Sequence, residues 1–198
     1  MSIRYAVITS VTRDDLPDGG AAHFSHVVRE IRAVLPAIRI ELLVPDFQGK
    51  RGAVESVASL PIEVFGHNLE TVSTLYPAVR REGDYSRSLN VLRWSSAHGT
   101  AMIKSGIMVG LGETSDELVR LFDDLASVGV GILTIGQYLR PTRHNVPVAR
   151  YVHPEELEAL AQAAREHGIP TVHAGPYVRS SYLAESLYQA GPRSSKKI

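Results

Sequence analysis

Residues Ile103 to Val109 form an apolar run, broken at Gly106, that ends in Gly110-Leu111-Gly112 and passes straight into Thr114-Ser115-Asp116-Glu117. A Ser/Thr-x-x-Glu capping box opens a helix, so the stretch reads as strand, tight turn, helix. Glycines let the backbone turn sharply and let a flat ligand lie against the strand, because no Cβ stands in the way. An ordinary βα turn accounts for the same residues equally well.

The pattern recurs along the chain. Tyr5 to Val11 is a β-branched run with almost no polar alternation, as in a strand buried on both faces. A charged loop, Thr12 to Gly20, leads to a helix with Phe24, Val27, Val28, Ile31 and Leu35 on one face, ended by Pro36. Strand Ile38 to Val44, loop Pro45 to Gly49 and a helix carrying Val54, Val57 and Ala58 repeat the unit, and strand Ile62 to Phe65 runs into His67-Asn68-Leu69-Glu70. A polar helical section through Tyr76, Pro77 and Arg80 precedes a helix from about Asp84 to His98, with Gly99 as its stop. After the central unit come strand Ile132 to Ile135, a long loop Thr142 to Val152 of the kind that serves as a lid or binding loop, a helix opened by Pro154, and strand Thr171 to Ala174.

Strand and helix thus alternate about every 30 residues, the spacing of parallel βαβ units. The arrangement fits a partial barrel or a doubly wound sheet. Polar loops after Val11, Val44, Phe65, Val109 and Ile135 all leave strand C-termini, where barrels keep their chemistry, and this favours the barrel. Expected are parallel strands in sequence order at 5–11, 38–44, 62–66, 101–109 and 131–136, with a short one near 171–174. Residues 1–175 form the barrel part and 176–198 a C-terminal segment, frayed from Ala190 onward.

Charge and composition close off other classes. Lys plus Arg and Asp plus Glu number 21 each, so no overall field favours nucleic acid or an acidic membrane surface. No run approaches the roughly 20 apolar residues of a membrane span, and no secretory signal opens the chain, which reads as cytoplasmic. There is no cysteine, hence no disulfide and no thiolate ligand for zinc or iron and sulfur.

Four constellations carry possible chemistry. Arg13-Asp14-Asp15 with Asp18 reads as a self-paired solvated loop rather than a metal site, and His23 with His26 as a surface pair lacking a third ligand. Asn68 and Glu70 at a strand end suit a ribose or other polyol, since a carboxylate accepts from two vicinal hydroxyls; a helix cap is the alternative. Lys104 lies inside an apolar strand, where a lone ammonium is costly, so it must reach the rim or meet a carboxylate or a ligand. Lys104, Glu70 and Arg87 are expected to converge on one rim.

Taken together, Thr9 to Gly20, Pro45-Asp46-Phe47, His67 to Val72, Asp84 to Leu89, Lys104 to Thr114, Gly136 to Pro141 and Arg179-Ser180-Ser181-Tyr182 resemble lipoyl synthases, a family of the radical S-adenosylmethionine superfamily, in the family's order over nearly the whole chain. The resemblance implies a partial (β/α)6 barrel that binds S-adenosylmethionine and two [4Fe-4S] clusters. It further implies insertion of sulfur at C6 and C8 of an octanoyl chain on a lysine of a lipoyl carrier protein domain. It puts Gly106, Gly110 and Glu113 beside the adenine, Asn68 and Glu70 at the ribose, Arg87 near the cofactor carboxylate, Lys104 in the cofactor-binding set, and Ser180 or Ser181 as an oxygen ligand of the auxiliary cluster.

The family's two cysteine sets, Cys-x4-Cys-x5-Cys and Cys-x3-Cys-x2-Cys, have no counterpart here, and the first residues align with the second barrel strand, so the first βα unit is missing. The chain accordingly reads as an inactive truncated copy. The alternative is a non-catalytic module that binds S-adenosylmethionine or an octanoylated carrier domain.

Overall fold

The computed structural model describes residues 3–191. Six strands, β1 (Tyr5–Thr9), β2 (Arg39–Leu43), β3 (Val64–Gly66), β4 (Met102–Val109), β5 (Ile132–Gln137) and β6 (Thr171–Gly175), form one sheet in sequence order. Every pairing is parallel. Among the described residues β1 pairs only with β2 and β6 only with β5, so the barrel is partial.

Alternate strand residues point to opposite faces, and the two faces differ in chemistry. Ala6, Ile8, Ile40, Leu42, Phe65, Ile103, Ile107, Val109, Leu133, Ile135 and Val172 join the apolar core under the helices. Those helices are α1 (Ala21–Val34), α2 (Arg51–Ala58), the short α3 (Tyr76–Val79), α4 (Tyr85–His98), α5 (Ser115–Ser127) and α6 (Pro154–Glu166). The inner face mixes polar and bare positions with apolar ones: Tyr5, Glu41, Lys104, Gly106, Thr134 and Gly136 occupy it by alternation, together with Val7, Val64 and Ile132.

Local signals set the helix starts. Thr114 and Glu117 close the capping box of α5, and Asp84 caps α4 by accepting from the Arg87 amide. The apolar face of α5 buries Leu118, Leu121, Phe122 and Leu125, and α6 buries Leu157, Ala161 and Ala164.

Two expectations need correction. β1 stops at Thr9, its residues are half-buried rather than buried on both faces, and Val11 is 77% exposed, because an edge strand has a neighbour on one side only. Leu35 leaves the helix as its C-cap and is exposed. The C-terminal segment is structured as far as Gly191: α7 (Ala184–Ala190) buries Ala184 and Leu187, and its Tyr188 ring lies 6.2 Å from that of Tyr5. The expected fraying of 192–198 lies outside the described residues. Within them, no helix is long and apolar enough to cross a membrane.

Candidate functional site

Segments leaving β1, β2, β3, β5 and β6 surround a cavity of about 960 Å³, lined among others by Thr12, Asp46, Arg87, Met108, Tyr138 and Arg179. A smaller cavity of about 140 Å³ shares Thr12, Pro45 and Arg80 with it and reaches His67, Asn68 and Glu70. Both therefore sit at the C-terminal rim of the sheet.

Glu70 lies just past β3, with its amide donating to the Gly106 carbonyl and its own carbonyl accepting from the Met108 amide. It holds φ 70°, a left-handed conformation that strains a non-glycine residue. Burial pushes its carboxyl above the ordinary glutamate value, while Asn68 and Arg80 pull it back. A second strained stretch, Phe47 and Gln48 at φ 50° and 54°, follows Asp46 on the same rim. Asp46 Oδ2 lies 2.7 Å from Arg87 Nε, and Arg87 Nη2 donates to the Glu82 carbonyl. Glu70 and Arg87 thus both reach the rim, as expected.

Lys104 does not. Its Nζ donates to Glu41 Oε1 at 2.7 Å, both side chains being almost wholly buried, and the Tyr5 hydroxyl donates to Glu41 Oε2 at 2.7 Å. Lys104 is two residues before Gly106 on β4, about 7 Å below it on the inner face. Of the outcomes open to it, Lys104 took the carboxylate, and the expected convergence with Glu70 and Arg87 does not occur.

Two glycine-turn residues are also engaged internally. Both Glu113 carboxylate oxygens accept from the turn itself, from Gly110 N at 2.7 Å and Leu111 N at 2.9 Å. Gly110 holds φ 92°, and a Cβ there would collide with the Arg150 carbonyl and the Gln137 amide, because the loop after β5 packs on it. Gln137 fastens that loop, donating to the Tyr138 and Arg150 carbonyls and accepting from Val152 N, and Tyr138 holds it through the Val146 carbonyl. The long loop is therefore a braced wall of the cavity, contributing Arg140, Pro141, His144, Asn145 and Val146.

Gly106 faces inward, and the space beside it is a polar cradle. A Cβ there would come within 2.8 Å of Thr134 Oγ1, 2.9 Å of Asn68 Oδ1 and 3.2 Å of Ser180 Oγ. Asn68 Nδ2 donates to Ser180 Oγ at 2.7 Å, whereas Ser181 faces solvent. Ser180 lies beside Gly106 and Asn68, two residues assigned from sequence to the nucleoside.

The model of the Radical SAM superfamily matches residues 1–125. The chain belongs to that superfamily. It is 51% identical over 193 residues to the lipoyl synthase of Glaesserella parasuis serovar 5, covering 96% of this chain and 60% of that protein. Against the lipoyl synthase of Pyrobaculum arsenaticum it is 50% identical over 192 residues, with 96% and 65% covered. The chain thus spans less than two thirds of the length of these relatives. Solved structures share the fold: HydG, a maturase of the [FeFe]-hydrogenase, superposes with TM-score 0.66 at 15% identity over 96% of this chain and 44% of its own. Methylornithine synthase (PylB) gives 0.60 at 13% identity over 86% and 49%.

Against this superfamily's cofactors the donor sets divide. At Gly106 a position bare of side chain is ringed by hydrogen-bonding oxygens and an amide, the kinds of group that pair with a nucleoside. Iron–sulfur clusters do not fit this chain, which has no cysteine and, among the described residues, no group of three or more His, Asp or Glu placed to hold a metal ion.

Sequence reading missed Thr134, Arg80 and Arg81 as site residues. Counting alternate positions inward across the β4 and β5 register finds Thr134 opposite Gly106; the Arg80-Arg81 pair carries no local signal, because α3 alone brings it to the rim.

Proposed function

We propose that this chain carries the S-adenosylmethionine-binding and carrier-facing part of a lipoyl synthase, acting on an octanoylated lipoyl carrier domain. The observation that supports it most is the cradle at Gly106 beneath a rim cavity wide enough for cofactor and acyl chain together. Bound there, the cofactor supplies the radical chemistry from which the superfamily takes its name. Asn68 and Thr134 would orient the nucleoside, and Glu70, poorly solvated, would accept from the ribose hydroxyls. Arg87 would meet the cofactor carboxylate, exchanging its bond to Asp46 for it. Lys104, Gly110 and Glu113 act by shaping the strand and turn below. The two serines offer oxygen alone, which suits neither cluster.

Calorimetry with S-adenosylmethionine is expected to show weak binding, because the methionine half meets only Arg87, which must give up its pair with Asp46. Anaerobic reconstitution with iron and sulfide, then a single turnover on an octanoylated carrier domain, is expected to yield neither 5′-deoxyadenosine nor lipoylated product. Product formation would overturn this assignment, and activity regained on adding a cysteine-bearing segment would support it.

The charge of the rim supports the choice of partner. Arg32, Arg39, Arg51, Arg87, Arg150 and Arg165 each lie within 4.0 Å of a carboxylate. Arg81, Arg140 and Arg179, which line the cavity, form no such pair among the described residues. A carrier surface with carboxylates around its acylated lysine would complement them. Reversing Arg81→Glu and Arg179→Glu together is expected to weaken binding of an octanoylated carrier domain about tenfold at low salt, with the difference shrinking as salt rises. Equal binding at all ionic strengths would remove the rim arginines from the contact.

A further inference from the structure

Building on the nucleoside reading of the cradle, we propose that residues 178–183 form a strap that closes the cradle from within and must lift before a nucleoside can enter. The sheet offers the strap a floor without side chains. Gly136 pairs with Gly175 across β5 and β6, and Gly106 lies on the adjacent strand. The strap sits directly on all three: a Cβ on Gly136 would collide with the Val178 carbonyl, one on Gly175 would lie 3.1 Å from Val178 Cγ2, and one on Gly106 3.2 Å from Ser180 Oγ. A planar base cannot share that floor.

Few bonds hold it down. Asn68 Nδ2 donates to Ser180 Oγ, the Tyr182 ring stacks on His173 with centroids 5.6 Å apart and planes 7° apart, and the Tyr182 amide closes a turn onto the Arg179 carbonyl. Arg179, Ser181, Tyr182 and Leu183 are otherwise exposed. The segment beyond it is anchored independently, through buried Leu187, the 3.5 Å pair of Arg39 with Glu185, and the Arg39 guanidinium over the Tyr188 ring. Between strap and anchor stands Leu183 at φ 49° and ψ 30°, a strained conformation for a branched residue, and α7 begins there with no side-chain cap. Lifting therefore breaks the hydrogen bonds of Asn68 to Ser180 and of the Val178 amide to the Gly175 carbonyl, undoes one ring stack and uncovers Val178, turns about Leu183, and leaves β6 and α7 in place.

The Asn68 amide makes the two states exclusive, since it serves Ser180 in one and the nucleoside in the other. Apparent nucleoside affinity is then the intrinsic affinity scaled by the fraction of molecules with the strap lifted.

The test is hydrogen exchange of the full chain with and without 5′-deoxyadenosine, paired with calorimetry of the wild type, Ser180→Ala and Tyr182→Ala. Expected are faster exchange at 178–183 when nucleoside is present, faster exchange there in Ser180→Ala without ligand, and nucleoside affinity raised about fivefold in Ser180→Ala, the size of one net hydrogen bond. Nucleoside binding with exchange at 178–183 unchanged or slowed overturns the strap and leaves the cradle assignment standing. Failure of the wild type and both variants to bind overturns the strap and the cradle assignment together.

Discussion

Replacing Lys104 with Met is expected to destabilise the protein by about 3–5 kcal/mol, because it leaves the Glu41 carboxylate buried with only the Tyr5 hydroxyl for company. Taking the carboxylate away as well, in Glu41→Leu with Lys104→Met, is expected to recover most of that loss, since replacing both members of a buried pair by apolar side chains is often close to neutral. Burial and the Glu41 charge hold the Tyr5 phenol well above its ordinary value, so Tyr5 stays protonated and donates; Tyr5→Phe added to the double variant removes the last unpaired group. Urea denaturation of the single, double and triple variants checks the ordering. If Lys104 were instead a ligand to the cofactor, the single variant would lose nucleoside binding while keeping its urea midpoint, the reverse of the expected pattern.

The second large effect is a loss of stability on mild acidification, centred on His67. Its imidazole is buried, Nδ1 donates to the Val44 carbonyl at 2.9 Å, and Nε2 has no partner among the described residues. Burial lowers its pKa to about 4, with Arg80 and Arg87 acting in the same direction and the Val44 bond and Asp46 against it. The folded state therefore binds the proton less readily than the unfolded chain. Stability is full above about pH 6.5 and falls as pH drops toward 4, by about 3 kcal/mol from this group. Glu70 works in the opposite sense, since its raised carboxyl favours the folded state where it is protonated. Comparison with His67→Gln, which keeps a donor for Val44 and has no titrating ring, isolates the imidazole. Parallel stability curves for the two proteins between pH 7 and pH 4 would show that His67 contributes no linkage.

Strain marks the rim as well as charge. Glu70, Phe47 and Gln48 all hold left-handed backbone conformations at the ends of parallel strands, beside the two cavities. Such positions persist only where surrounding contacts over-determine them, and they gather at ligand sites. No periodicity or propensity in the sequence announces them, because each arises from how a loop is pinned between neighbouring elements.

The sequence by itself determined the succession of βα units, the parallel order of the strands, the capped start of α5 and the superfamily, because these follow from near neighbours along the chain: apolar period, glycine and proline stops, and a cap three residues deep. It also located Asn68 and Glu70 at a strand end and Arg87 in the first turn of α4, all reaching one rim. Only the tertiary structure decided what the inner face of the sheet does with its polar residues. Lys104 finds Glu41 across 63 positions of sequence and Asn68 finds Ser180 across 112. Both pairings depend on strand register and on the path of the C-terminal segment across the barrel, and a contact between residues so far apart leaves no local pattern to read.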